Sequence, residues 1–273
     1  MKLRKIAILS LAAGLLFFTS ACTNQPDAGV LVHEAQSDSA KMKSCSASME
    51  NTLIFKADNS QHSYHSTNQL DFHASPFAVK SLQTSQNDSA SDKSENYTVT
   101  ENGQIDFYCK SASGWQKTSP GNMDTSPAAQ IEILHLLDNV KDQKYVRDTE
   151  IDSQKVHKIE LTLKSEVLRP FVENIVTASG IGGDSKTIVQ TLLDSAPPVY
   201  GYCYINTENG KLVQMEMDAA DAVNQIFQNI DGNTVKITVS KCSLSGTLSK
   251  IDSAPGVTLP AEAKSASSVQ AQG

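Results

Sequence analysis

The chain has 273 residues, with 23 Lys and Arg against 30 Asp and Glu, a formal net charge of −7 and only 19% charged side chains. That acidic balance excludes nucleic acid as the main partner, because neutralising phosphates needs a basic surface. A single apolar run, confined to the extreme N-terminus, excludes a polytopic membrane protein.

Lys2, Arg4 and Lys5 precede an apolar stretch from Ile6 to Phe18, and Thr19-Ser20-Ala21-Cys22 follows. The apolar stretch spans about 20 Å as a helix, too short for a bilayer core of about 30 Å, so it reads as an export signal covering residues 1–21. Small residues that end on a cysteine resemble the lipobox of bacterial lipoproteins, with Thr19 standing where that family usually carries Leu. The resemblance implies a diacylglyceryl group on the Cys22 thiol and cleavage just before it. An ordinary secretory peptide is the alternative. Two acyl chains anchor far more firmly than one. Removing the signal leaves 20 basic against 30 acidic side chains, a charge that would keep the body off anionic lipid.

Residues 22–41 lack apolar periodicity and read as a flexible spacer, with a weak helix at 33–43. The folded body then runs over 42–260. Strands are predicted at 49–57, around Leu53-Ile54-Phe55, and at 64–74, where Tyr64, Leu70, Phe72 and Ala74 share one parity. Phe77 and Val79 begin another. Residues 81–96 are rich in serine and read as a loop. Tyr97 and Val99 lead into Asn102-Gly103, a strong hairpin signal because both central residues need positive φ, and Ile105, Phe107 and Cys109 alternate after it. Ser126 and Pro127 open a helix carrying Ile131, Leu134, Leu137 and Val140. Two strands over 145–163 follow, then a helix through Phe171 ended by Gly180, and another ended by Pro197-Pro198. A hairpin turning at Asn209-Gly210, a short helix to Asp231-Gly232, a strand at 235–239 and an extended 256–260 complete the body. Residues 261–273 read as a disordered tail.

This order has no alternating strand–helix rhythm, which disfavours a doubly wound sheet. Successive hairpins predict an α+β domain: one large curved antiparallel sheet, an open half-barrel, with helices packed on the concave face. The layout resembles the LolA/LppX-type lipoprotein carriers, especially their lipid-anchored Gram-positive branch. Besides the lipobox, the resemblance rests on "YTVTENGQIDFYCKSASGWQKTS" at 97–119, "GYCYINTENGKLVQMEMD" at 201–218 and "GVTLPAEAKSA" at 256–266. It implies binding of acyl chains, palmitate-like in length, or lipidated cargo between sheet and helices. The candidates to line such a space are Phe55, Leu70, Phe72, Phe77, Val79, Val99, Ile105, Phe107, Ile131, Leu134 and Phe171, although for each of them plain core packing is the favoured reading.

Cys45, Cys109, Cys203 and Cys242 make an even number in an exported chain, which suggests two disulfides in one of three connectivities, with Cys45–Cys109 and Cys203–Cys242 favoured by sequence proximity and four unpaired, buried thiols as the alternative. No CxxC pair supports a zinc or redox site. His62 and His65 form an HxxH that diverges on a strand, leaving metal binding as a weak reading. There is no G-x-S-x-G elbow, and Gly180-Ile181-Gly182-Gly183-Asp184-Ser185-Lys186 lacks phosphate-loop spacing. The sequence therefore points away from an enzyme, from cofactors and from metals. It favours a membrane-anchored, extracytoplasmic lipoprotein that binds a lipid or other hydrophobic ligand. The rival is a closed-core module whose partner is another envelope protein.

Overall fold

A computed structural model describes residues 25–88, 90–111, 114–181, 184–228 and 235–268. Elements run in the order α1 (Ala28–Ala40), β1 (Ser44–Ala57), β2 (Ser60–Ala74), β3 (Phe77–Asn87), β4 (Ala90–Glu101), β5 (Gln104–Ser111) and β6 (Gly114–Thr118). Next come α2 (Pro127–Gln130), α3 (Glu132–Asp138), β7 (Val140–Ile151), β8 (Gln154–Leu163), α4 (Arg169–Ser179), α5 (Ser185–Asp194), β9 (Val199–Asn206) and β10 (Leu212–Asp218). The chain closes with α6 (Ala220–Gln228), β11 (Ile237–Ser249), α7 (Ala261–Lys264) and β12 (Ser267–Ser268).

The twelve strands among the described residues form one open sheet in the order β12-β6-β5-β4-β3-β2-β1-β11-β10-β9-β8-β7. The chain meanders outward from β1 to β6, crosses through α2 and α3 to the far edge at β7, and meanders back until β11 pairs with β1. Every pairing is antiparallel except β12 on β6. The hairpin signals are met by local chemistry. Asn102 and Gly103 take φ of 53° and 77° between β4 and β5, and Asp152 and Ser153 take 48° and 65° between β7 and β8. Gly180 ends α4 at φ 63°, a left-handed cap that glycine adopts without a Cβ penalty.

Strand parity decides which side each residue serves. One cross-strand row runs Cys45–Phe72–Val79–Thr98–Phe107–Thr118. Cys45 to Val79 from that row join Phe55, Leu70, Phe77, Ile131 between α2 and α3, and the helical Leu134 and Phe171 in the main core on the concave, helix-covered face. A second, smaller cluster lies on the outer face. There Ala78, Tyr97, Val99 and Tyr108 are covered by Leu259 and Ala263 from the C-terminal segment.

Four expectations need correction. Residues 81–96 are not a loop: β3 and β4 stay paired from Ala78↔Val99 to Asn87↔Ala90. Their backbone groups satisfy the ladder, while the many serine, asparagine and glutamine side chains leave no apolar face to bury. The stretch read as a flexible spacer carries α1. Asp27 caps it by accepting from Gly29 N (2.8 Å) and Val30 N (3.2 Å), and Ala28, Val32, Ala35 and Ser39 are buried at helical spacing. The stretch read as a tail carries α7 and β12, held because Ala263 is fully buried. Finally, the helix expected from Ser126 is split at Ile131, whose extended backbone (φ −121°, ψ 104°) separates α2 from α3. Residues 1–24, with Cys22 and the signal, and 231–232 lie outside the described residues.

Candidate functional site

Most of the interface between sheet and helices is filled. Phe55, Leu70, Phe72, Phe77, Val79, Ile131 and Leu134 are each at most 8% exposed and lie in the main core. The two layers part beside α3. Where α3 and the start of α4 pass over β1, the first half of β2 and the end of β3, a cleft of about 500 Å³ remains, within the ~300–1,000 Å³ of small-molecule sites.

The sheet wall follows from register. Asn51 pairs with Ser66 and Ser66 with Ser85; Leu53 pairs with Tyr64 and Tyr64 with Asn87, so all six face the helices, and Leu244 of β11 adds to them. The helix wall brings Glu132, His135 and Leu136 from α3, and Val167, Arg169, Phe171 and Asn174 from α4 and the turn before it. Leu53, Tyr64, Leu136, Val167, Phe171 and Leu244 give the cleft an apolar lining. Amides, hydroxyls and the charged side chains give it a polar one.

Arg169 is engaged through its Nη2. Its Nη2 donates to both Glu166 carboxylate oxygens (2.6 and 3.0 Å) and to Gln190 Oε1 (2.7 Å), and its Nη1 lies 3.8 Å from Glu173. Glu132 has exposed surface, yet the cleft walls crowd its carboxyl. That desolvation raises its pKa, and a hydrogen bond from Asn51 and the nearby His135 offset part of the rise. Asn51 Oδ1 is buried and has no hydrogen-bond partner among the described residues.

Of the side chains the sequence offered as lining, only Phe171 borders this cleft. Val99 pairs with Ala78 and Asp106 and lies on the outer face. Ile105 packs against the edge of the main core. Phe107 is half-buried, opposite Thr98 and Thr118. The polar lining was missed because it interrupts the apolar pattern. Asn51 breaks the buried alternation of Ala47, Met49, Leu53 and Phe55, and that interruption was the available signal.

Among the described residues the expected disulfides are absent: Cys45, Cys109, Cys203 and Cys242 are free there. Four strand spacings, about 19 Å along the sheet, separate β1 from β5. Cys203 is level with Met215 and Gly246, so Cys242 lies two strands and four residues away. A disulfide needs Cα atoms within about 7 Å. Burial pushes the Cys45, Cys203 and Cys242 thiols up to about 12.

His62 stacks on Phe55 (centroids 5.0 Å) and meets Asp88 at 3.1 Å. His65 points to the other face, beside Thr52 (3.2 Å) and Glu50 (3.9 Å). No group of three or more His, Cys, Asp or Glu among the described residues is placed to hold a metal ion. No helix among them is long and apolar enough to cross a membrane.

An open antiparallel half-barrel with its helices on the concave side defines the class of fold. The chain belongs to DUF6612, a family of unknown function, whose model matches residues 27–268. Among solved structures it is similar to LprF from Mycobacterium bovis, at 14% identity and TM-score 0.44, covering 85% of this chain and 94% of that one. It is also similar to the lipoprotein LppX from Mycobacterium tuberculosis, at 14% identity and TM-score 0.42, covering 84% and 99%. A putative outer membrane lipoprotein-sorting protein domain from Vibrio parahaemolyticus gives 8% identity and TM-score 0.22, covering 80% and 88%. A comparison with curated proteins returned no match.

Proposed function

We propose that this protein is a membrane-anchored, extracytoplasmic lipoprotein, tethered through an acylated Cys22, that holds the apolar part of a lipid or other hydrophobic ligand without catalysing a reaction. The observation that carries this reading is the cleft of about 500 Å³ between α3–α4 and β1–β3. It is one space with both apolar and polar lining, as an amphiphile requires. Burying a methylene contributes about 0.8 kcal/mol, so even a short alkyl segment gains appreciable affinity before binding costs.

The placement of α1 sharpens the picture. With helix starting at Ala28, a tether from Cys22 is only about six residues long. It reaches at most about 20 Å, which holds the body near the bilayer from which a lipid would come.

The test is a titration of a fluorescent long-chain acyl probe against the chain with Cys22→Ala, compared with a variant adding Ser66→Trp to fill the cleft. Saturable binding of one probe per chain, weakened at least tenfold by the indole, is expected. Absent binding, or binding indifferent to Ser66→Trp, overturns the reading.

A further inference from the structure

We propose that the outer face of the sheet holds a second binding site, a tyrosine-walled slot on β9–β11 that receives a primary ammonium on an alkyl stem, with Asp218 as its counter-charge. The slot lies on the side opposite the helices and is independent of the cleft reading above.

Register builds the slot. Along β9, Cys203 and Ile205 belong to the main core, so the alternate residues Tyr200, Tyr202 and Tyr204 stand in a row on the outer face, about 7 Å apart. Glu216 is level with Tyr202 and Ser245, and Asp218 is level with Ser243. The backbone of Gly201, Met217 and Leu244, one cross-strand row, floors a cavity of about 380 Å³ walled by Tyr200, Tyr202, Glu216, Asp218, Ser243 and Ser245. That lining holds two carboxylates and no Lys, Arg or His, a charge complementary to a cation. Tyr200, at 55% exposure, has most of its ring left to offer.

The chain itself shows what such a slot accepts. One step along β9, Lys158 of β8 stands opposite Tyr204. Its Nζ lies 3.8 Å from the centre of the Tyr202 ring and 5.3 Å from that of Tyr204, inside the ~6 Å reach of a cation–π contact. It also lies 3.7 Å from Glu216, which accepts from the Tyr204 hydroxyl. An ammonium on an alkyl stem is therefore already seated against two tyrosines and a carboxylate.

Two residues further on, the same pattern recurs, with Tyr202 and Tyr200 as the rings and Asp218 as the carboxylate. The lysine does not recur. Opposite Tyr202 the β8 residue is Glu160, and opposite Tyr200 it is Thr162. Asp218 Oδ1 accepts from the Ala220 N–H (3.1 Å), and among the described residues no Lys, Arg or His nitrogen pairs with this carboxylate. The second slot thus repeats the first in everything but a cation from its own chain. An anion would meet two carboxylates there, and a neutral group would forgo both the charge and the ring faces.

The experiment is an NMR titration of the full chain with Cys22→Ala, labelled at tyrosine rings, with n-pentylamine, Nα-acetyl-lysine amide and 1-pentanol. Both amines are expected to shift the Tyr200 and Tyr202 signals saturably, about fivefold or more tightly than the alcohol. Tighter binding of pentylamine supports the site with a free amine as its source, and tighter binding of the lysine amide supports it with a protein side chain. Asp218→Asn removes the charge yet keeps an acceptor for the Ala220 N–H, and should weaken amine binding about fivefold. Tyr200→Ala should do the same, and melting curves show that each variant is folded. Lys158→Ala clears the first slot, so pentylamine should then bind a second equivalent and shift Tyr204 as well. Equal binding of amine and alcohol, amine binding that survives Asp218→Asn in a folded protein, or a single equivalent in Lys158→Ala overturns the inference. The acyl-probe titration of the cleft is unaffected by any of these outcomes, so the two readings fail separately.

Discussion

Gly246→Val tests how closely α3 rides on the sheet. Gly246 lies on β11 between Met49 and Met215, directly beneath α3. A Cβ placed there would collide with the Met49 sulfur and sit 3.3 Å from both Ile133 Cδ1 and the Ser48 carbonyl oxygen. Relief has nowhere to go, since Met49 is 5% and Ile133 0% exposed. Overpacking a filled core costs about 1–3 kcal/mol, and valine's added methyls place the net effect near the upper end, at about 2–3 kcal/mol, even after the gain from replacing glycine in a strand. For a domain of this size each kcal/mol moves Tm by about 2–4 °C, so a fall of roughly 4–12 °C is expected in a thermal melt. Gly256→Ala is the control: nothing lies within 4 Å of its Cβ, and Tm should stay within about 1 °C. Because α3 carries Glu132 and His135, the Gly246 variant should also weaken acyl-probe binding. A Tm loss below about 2 °C would refute the close-approach argument.

Thiol chemistry gives a second check: a native chain treated with iodoacetamide at pH 8 should label half-buried Cys109 well before Cys45, Cys203 or Cys242, whose burial raises their pKa to about 12. Intact-mass analysis without reductant should show no disulfide among them, and a loss of four hydrogens would contradict the fold. Acid should destabilise the protein. Asp252 is held below its ordinary 3.8 by the Lys43 N–H (2.9 Å) and Lys211, and Asp88 by the Ser63 N–H (2.7 Å) and His62. The folded pKa values lie below the unfolded ones, so the unfolded chain binds more protons. The stabilisation is present above about pH 4 and is lost as pH falls through the folded values; Asp252→Asn should flatten the decline in Tm. For the anchor, Cys22→Ala should move the protein from the membrane fraction to the medium, and unchanged retention would remove the tether from the account.

Where periodicity and turn chemistry agree, the sequence was readable. Asn102-Gly103 and Gly180 mark real chain reversals because positive φ is written into those residues. The alternation of Leu70 and Phe72 puts the right face on the core. Strand identity was hidden where side chains are small and polar on both faces, as in 81–96, because there the backbone ladder rather than burial holds the structure. The helix α1 was hidden because its buried face is built from Ala28, Val32, Ala35 and Ser39, too small to give a strong apolar stripe. The outer-face cluster misled for a different reason. Val99 follows the same alternation as its neighbours, but parity alone does not say that Leu259 and Ala263 fold back to cover that side. The cleft itself depends on where α3 and α4 fail to reach β1–β3, a matter of three-dimensional fit that no single stretch of chain encodes. Its polar residues come from separate elements, Asn51, Glu132 and Arg169.

The most direct test of the account is to label the folded chain with a photoreactive long-chain alcohol and map the attachment sites by peptide sequencing. The account predicts adducts in 51–66, 132–136 and 166–174, the segments that meet at the cleft, with attachment suppressed by Ser66→Trp. Adducts confined to the outer-face cluster at 97–108 and 257–266, or scattered labelling that Ser66→Trp leaves unaltered, would contradict it.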